Sequence, residues 1–193
     1  MALRLGPLTL PWPRADDRDD PYWDFFIHTP PRDPANSVTQ IIRRAPEGAI
    51  NPARADIHTP EITASHIKEL ARFLGADLVG VARLDAPDAA DGEAYPFAVV
   101  SVVRAEHDPR AAAGLGGQVP VQNALYVTFV LSAYIRELGY RATAAPHPDA
   151  ERLAAAAGLG TLDAAGRLVT TQYGPRVYVA DVIRTDLPLA ADG

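Results

Sequence analysis

Apolar positions are spread unevenly along the chain, and their spacing divides it near residue 60. Before that point prolines interrupt each short apolar run and no period is sustained. From Pro60 onward the pattern becomes regular. Ile62, Ile67, Leu70, Phe73 and Leu74 form an apolar stripe at helical spacing. Thr59 or Thr63 can cap that helix, with Pro60 or Glu61 in its first turn and Gly75 as its stop. DLVGVARL (77–84) and YPFAVVSVV (95–103) are short runs rich in β-branched residues and predict two strands joined by a polar loop. HDPRAAAGLGG (107–117) reads as a flexible connection. VQNALYVTFVLSAYIRELG (121–139) is apolar on nearly all sides until Arg136-Glu137, which predicts a long, central, buried helix. A strand near 141–145, a helix from Pro148-Asp149 to Gly158, and strands near 167–172 and 176–184 complete the series. Helices and strands in this order predict an α+β sandwich with a mainly antiparallel sheet over residues 61–193, preceded by an extended arm over 1–60.

The arm has two contrasting parts. PRADDRDDP (13–21), with Asp16, Asp17, Asp19 and Asp20, is a charge run expected to be solvated loop. PYWDFFIHTPP (21–31) carries Tyr22, Trp23, Phe25, Phe26 and Ile27, each worth ~1.5–3 kcal/mol when covered. That segment is expected to anchor the arm, either on the chain's own core or on a second subunit.

Composition narrows the function classes. The chain has 193 residues, 48% of them hydrophobic and 22% charged, which suits one well-buried core. A net charge of −6 argues against a nucleic-acid or anionic-membrane surface. There is no cysteine, so this stretch can supply no disulfide, thiolate zinc site, catalytic thiol or cysteine-ligated iron–sulfur cluster. No secretory signal is visible, Arg43-Arg44 precedes no hydrophobic segment, and no apolar run approaches the ~20 residues that span a bilayer. Cytoplasm is the expected location.

Few side chains announce chemistry. His28, His58, His66, His107 and His147 are scattered, without a pair at i, i+4, and the carboxylates form no catalytic pair. The glycine-rich segment AAAAGLGTLDAAGRLVT (154–170) is open to two readings. Gly158, Gly160 and Gly166 could mark a helix end followed by a hairpin, or could let backbone approach a flat, bulky ligand. It is no dinucleotide fingerprint, because Gly158-Leu159-Gly160 follows a helix rather than a strand. Tyr173-Gly174-Pro175-Arg176 is a tight turn between strands whose shape accounts for Gly174 and Pro175, leaving Arg176 free to meet a ligand or a backbone carbonyl.

From Leu138 to Leu189 the chain reads LGYRATAAPHPDAERLAAAAGLGTLDAAGRLVTTQYGPRVYVADVIRTDLPL. The order and spacing of its glycine turns, its Tyr-Gly-Pro-Arg turn and its closing Thr-Asp-Leu-Pro-Leu resemble the corrinoid-binding domain of reductive dehalogenases and of epoxyqueuosine reductase. The resemblance begins weakly at about residue 62 and is firm after Leu138. It implies a nitroreductase-like fold and cobalamin held base-off by backbone and small side chains, without a protein ligand below the cobalt. The matching positions are Ala142, Thr143, Ala144 and His147; Ala157, Gly158, Leu159, Gly160 and Thr161; Gly166, Leu168, Val169 and Thr170; and Tyr173, Gly174 and Arg176.

Two departures from the family pattern bear on function. Dehalogenases place a tyrosine proton donor on the approach to the long helix, helped by a basic residue and often an asparagine. By spacing, the tyrosine position falls near Val121, the basic position on Tyr178 and the asparagine position near His147. Valine donates no proton and tyrosine carries no positive charge. Tyr126, His147 and Tyr178 remain the candidate catalytic side chains, and the aspartate acid of epoxyqueuosine reductase has no assignable counterpart. The ferredoxin-like module of those families does not follow Leu189 in this sequence. The expectation is therefore a corrinoid subunit of a redox system whose electrons come from a separate protein. A non-catalytic corrinoid carrier, store or sensor is the alternative, and a flavin- or haem-binding nitroreductase-like protein a further one. The fold also implies a homodimer, with residues 22–27 as the feature expected to support it.

Overall fold

The computed structural model describes residues 4–5, 8–9, 20–33, 35, 37–84 and 94–193. Asp16, Asp17 and Asp19 and most of the polar loop between the first two expected strands lie outside the described residues. At the start, β1 (Arg4–Leu5) pairs antiparallel with β2 (Leu8–Thr9). The centre is a five-stranded antiparallel sheet in the order β3 (Leu78–Arg83), β4 (Phe97–Arg104), β9 (Val182–Thr185), β5 (Ala142–Ala145), with β8 (Val177–Val179) also paired to β4. On one face lie α3 (Pro60–Phe73) and α4 (Val119–Glu137); on the other lie α5 (Ala150–Ala156) and a small hairpin of β6 (Thr161–Leu162) and β7 (Leu168–Val169). This is the expected α+β sandwich.

Alternation along β4 explains the layering. Val99 packs with Val127, Leu131 and Ile135 of α4, and Val103 with Ala124, while Val100 and Val102 pack with Ala154 of α5 and Leu168. A strand covered on both faces is an unbroken apolar run, as YPFAVVSVV is. β3 needs a glycine: a Cβ on Gly80 would lie 2.7 Å from the Ala157 Cβ, so Gly80 and Ala157 together let α5 approach the sheet.

In α3, Thr59 is the cap and Pro60 opens the first turn. The buried ridge is Thr63, Ala64, Ile67 and Ala71, with Leu70 and Leu74 at its edge. Ile62 and Phe73 leave the expected stripe, at 45% and 87% exposure. At 100° per residue they sit about 140° and 120° around the helix from Ile67, too far to share its face. α4 is central as expected, but not buried all round: Tyr126, Phe129 and Tyr134 form an exposed stripe.

Two helices form within the arm, α1 (Pro21–His28) and α2 (Val38–Arg44). Their caps are legible in retrospect. The Asp20 carboxylate accepts from Tyr22 N, and Ser37 Oγ accepts from Gln40 N. α1 docks on the 107–117 connection: Gly114 N donates to Ile27 O at 2.7 Å and Gly116 N to Phe26 O at 3.0 Å. A Cβ on Gly116 would meet the Phe26 ring at 2.5 Å. That connection, read as flexible, is a glycine seat for the arm. The aromatic anchor is thus on the chain's own body through Phe26, while Tyr22 and Phe25 stay 65% exposed.

The expected strand at 176–184 is broken. Val102 pairs with Val179 and Val99 with Ile183, so Ala180, Asp181 and Val182 stand opposite only Ser101 and Val100. This is a β-bulge, and it turns one side chain out of the alternation. No helix among the described residues is long and apolar enough to cross a membrane.

Candidate functional site

The bulge creates the most polar buried cluster on the α4 side of the sheet. Asp181 is buried, and its carboxylate accepts from Arg43 Nη2 at 3.0 Å and Nε at 3.4 Å. Arg43 comes from α2, in the arm, 138 residues away in sequence. The Tyr178 phenol lies within electrostatic reach of Arg43 and Asp181, and the residue packs against Val103, Ala124 and Ala180. Burial pulls the Arg43 pKa down, but the hydrogen bond and charge of Asp181 outweigh it and leave it raised. Burial pushes the Tyr178 phenol up, as does the Asp181 charge, and the Arg43 guanidinium offsets only part of this. Tyr178 is therefore held in its neutral, proton-bearing form.

Beside this cluster lies a cleft of about 200 Å³ between α2, α4 and β5, lined by Arg43, Glu47, Arg136, Asp181, Thr128, Ser132 and apolar neighbours such as Leu125, Phe129 and Ala144. Arg136 is 4% exposed, and its Nη1 donates to Ala142 O at 2.8 Å. Burial lowers the Arg136 pKa, and the nearby Glu47 charge counters this in part.

The other sequence-named residues fall in two places. Ala142, Thr143 and Ala144 are on β5; Ala142 is in the main core, and Thr143 Oγ1 donates to Glu47. His147 follows β5, half-buried, with Nδ1 accepting from Asp149 N at 3.1 Å. Across the sheet, Ala157 and Leu168 are buried in apolar clusters, Thr170 Oγ1 accepts from Tyr173 N, and Leu159 and Val169 are half-buried. Their side chains serve packing. A Cβ on Gly160 would lie 2.4 Å from Val169 O, so that glycine is required by the hairpin itself. Gly158, Gly166 and Gly174 differ: all have positive φ, and a Cβ on Gly166 or Gly174 would meet nothing within 4 Å. Thr161 and Arg176 are exposed, and Arg176 makes no hydrogen bond or ion pair through its side chain among the described residues. Tyr126 lies on the exposed stripe of α4, on the opposite side of that helix from Ala124, which touches Tyr178. The fold does not bring Tyr126 and Tyr178 together. Arg43 and Arg136 were not singled out as site residues from the sequence, since nothing local marks a residue that the tertiary fold buries.

No protein-family model matches the chain, and no curated protein matches it. Solved structures do. A reductive dehalogenase whose structure suggests a mechanism for B12-dependent dehalogenation has a TM-score of 0.64 at 29% identity, over 80% of this chain and 24% of its own. A catabolic reductive dehalogenase has a TM-score of 0.63 at 22% identity, over 80% of this chain and 26% of that one. The chain has the core fold of the reductive dehalogenases. It spans about a quarter of the length of the structures it matches.

Within this dehalogenase core, Val121 is 7% exposed in the first turns of α4 and offers no proton. Arg43, from the arm, places a positive charge near Tyr178. Gly166 and Gly174 sit at positive φ in their turns with open space beside them, and Arg176 makes no hydrogen bond or ion pair through its side chain among the described residues.

Proposed function

We propose that this chain binds cobalamin, base-off, as the corrinoid-holding part of a redox system whose electrons arrive from a separate protein. The observation that carries the reading is the shared core fold with a B12-dependent dehalogenase at 29% identity. Cobalamin would supply the redox chemistry; the chain's residues bind it and shape access to it. Gly158 to Thr161, Gly166 and Tyr173 to Arg176 offer backbone and one guanidinium, and His147 a polar contact at the end of β5. With no cysteine in 193 residues, an iron–sulfur relay has to come from outside this stretch.

A non-catalytic carrier, store or sensor is the second reading. It is favoured by Val121, which offers no proton where the resemblance expects a donor. Protein mixed with hydroxocobalamin and desalted tests both. Retained corrin absorbance with a base-off spectrum supports binding, and subsequent reduction followed by consumption of an alkyl halide separates turnover from storage. Protein that stays colourless under oxidising and reducing conditions, or that carries flavin or haem from the cell, overturns cobalamin as the ligand. The reading includes a cytoplasmic location and a homodimer supported by the arm. Deleting residues 1–35 and measuring solution mass tests the latter, and an unchanged dimer clears the arm of that role.

A further inference from the structure

Among the described residues Arg136 is the buried charge with the fewest partners. It belongs to the last turn of α4, is 4% exposed, and its one side-chain hydrogen bond to a described residue goes to Ala142 O. No carboxylate among the described residues stands at ion-pair distance from it, whereas Arg43, on the same cleft, is held by Asp181. A guanidinium has five N–H donors, and a buried cation without a partner is strongly disfavoured. Among the described residues Ser101 Oγ alone is a sealed and unbonded side-chain polar atom, so the spare donors of Arg136 are not sealed in protein. They open to the cleft that the residue lines.

The rest of the cleft selects the kind of anion. Leu125, Phe129, Ile42, Ala144 and Pro146 give it apolar walls. Thr128 and Ser132 donate their hydroxyl protons back to carbonyls of α4, so neither competes for Arg136 as a charged group. Glu47, hydrogen-bonded by Thr143, is the one lining carboxylate not ion-paired, and it repels multiply charged anions. At about 200 Å³ the space is below the roughly 300–1,000 Å³ of sites for drug-sized ligands, and far below a corrin. We propose that this cleft binds a small organic monocarboxylate, its oxygens on the free donors of Arg136 and its apolar body against Leu125, Phe129 and Ile42. The site lies away from the glycine turns across the sheet, and on β5 it shares Ala144 with the positions expected to meet cobalamin.

Calorimetric titration of the full chain with benzoate, benzamide and sulfate tests this. Benzoate should bind, while its neutral isostere benzamide and the dianion sulfate should bind at least about tenfold more weakly. Arg136→Met should weaken benzoate by about tenfold or more. Glu47→Gln, at an exposed position where folding is not at risk, should tighten it about two- to fivefold at low salt. The proposal fails if benzamide or sulfate matches benzoate, if benzoate shows no binding to the native chain, if folded Arg136→Met binds benzoate as the native chain does, or if Glu47→Gln weakens it.

Discussion

The Arg43–Asp181 pair should respond asymmetrically to removal of its two ends. The Asp181 side chain is 6% exposed and the Arg43 side chain 34%. Arg43→Ala leaves a largely buried carboxylate without its partner, and breaking a buried pair in that way costs about 3 kcal/mol. Asp181→Ala frees a long side chain that can swing its guanidinium to solvent, so the loss is nearer that of a partly exposed pair, about 1 kcal/mol. For a chain of this size 1 kcal/mol moves Tm by about 2–4 °C, giving about 6–12 °C for Arg43→Ala and about 2–4 °C for Asp181→Ala. The double variant removes both charges and should be more stable than Arg43→Ala alone. Thermal unfolding by circular dichroism at neutral pH reads all three. If Asp181→Ala proves as damaging as Arg43→Ala, or the double variant is the worst, then Asp181 reaches solvent and the bulge does not bury a charge.

Further outcomes follow from individual positions. Gly160→Ala should open the β6–β7 hairpin, because its Cβ would lie 2.4 Å from Val169 O, and fast amide exchange at Leu162 and Leu168 would report it; Gly166→Ala, facing open space at φ 75°, should keep the pairing and cost about 1–2 kcal/mol of backbone strain. Ser101→Ala should raise stability by about 1 kcal/mol, since its buried hydroxyl has no partner, and a lower unfolding midpoint in urea would contradict that. Tyr178 has a folded pKa above its ordinary 10.0, so its neutral form contributes stability that is present below pH 10 and lost as pH rises through the folded value; Tyr178→Phe should show a shallower alkaline decline, and parallel curves would refute the shift.

The elements were legible where local signals and tertiary packing agree. β4 is apolar at consecutive positions because both of its faces are covered, and Thr59-Pro60 begins a helix by capping chemistry that needs no neighbours. α3 shows where periodicity falls short. Ile62 and Phe73 are apolar and near the stripe in sequence, yet only the angle to Ile67 decides which side meets the sheet. The bulge was invisible for a related reason: VYVADVIRT alternates well enough to read as one strand, and the extra residue exists only relative to the register on β4. Of the glycines, Gly160 is accounted for by its hairpin, while Gly166 and Gly174 answer to no protein atom, so the segment that suggested a ligand is partly architecture and partly open backbone.

The bulge also explains why the charged site escaped a reading by motif. A regular strand continuing from Val179 would keep Asp181 in the alternation; one extra residue releases it toward α2, where Arg43 meets it. That contact spans 138 residues, and it places the arm against α4 as well as against the 107–117 loop. The arm is therefore one wall of the cleft rather than an appendage, since Ile42, Arg43, Ala45 and Glu47 all line it. Cleft and arm should consequently be lost together: a variant that releases α2 from α4 exposes Arg136 to water and removes both the repelling carboxylate of Glu47 and the apolar wall that would hold a carboxylate's body.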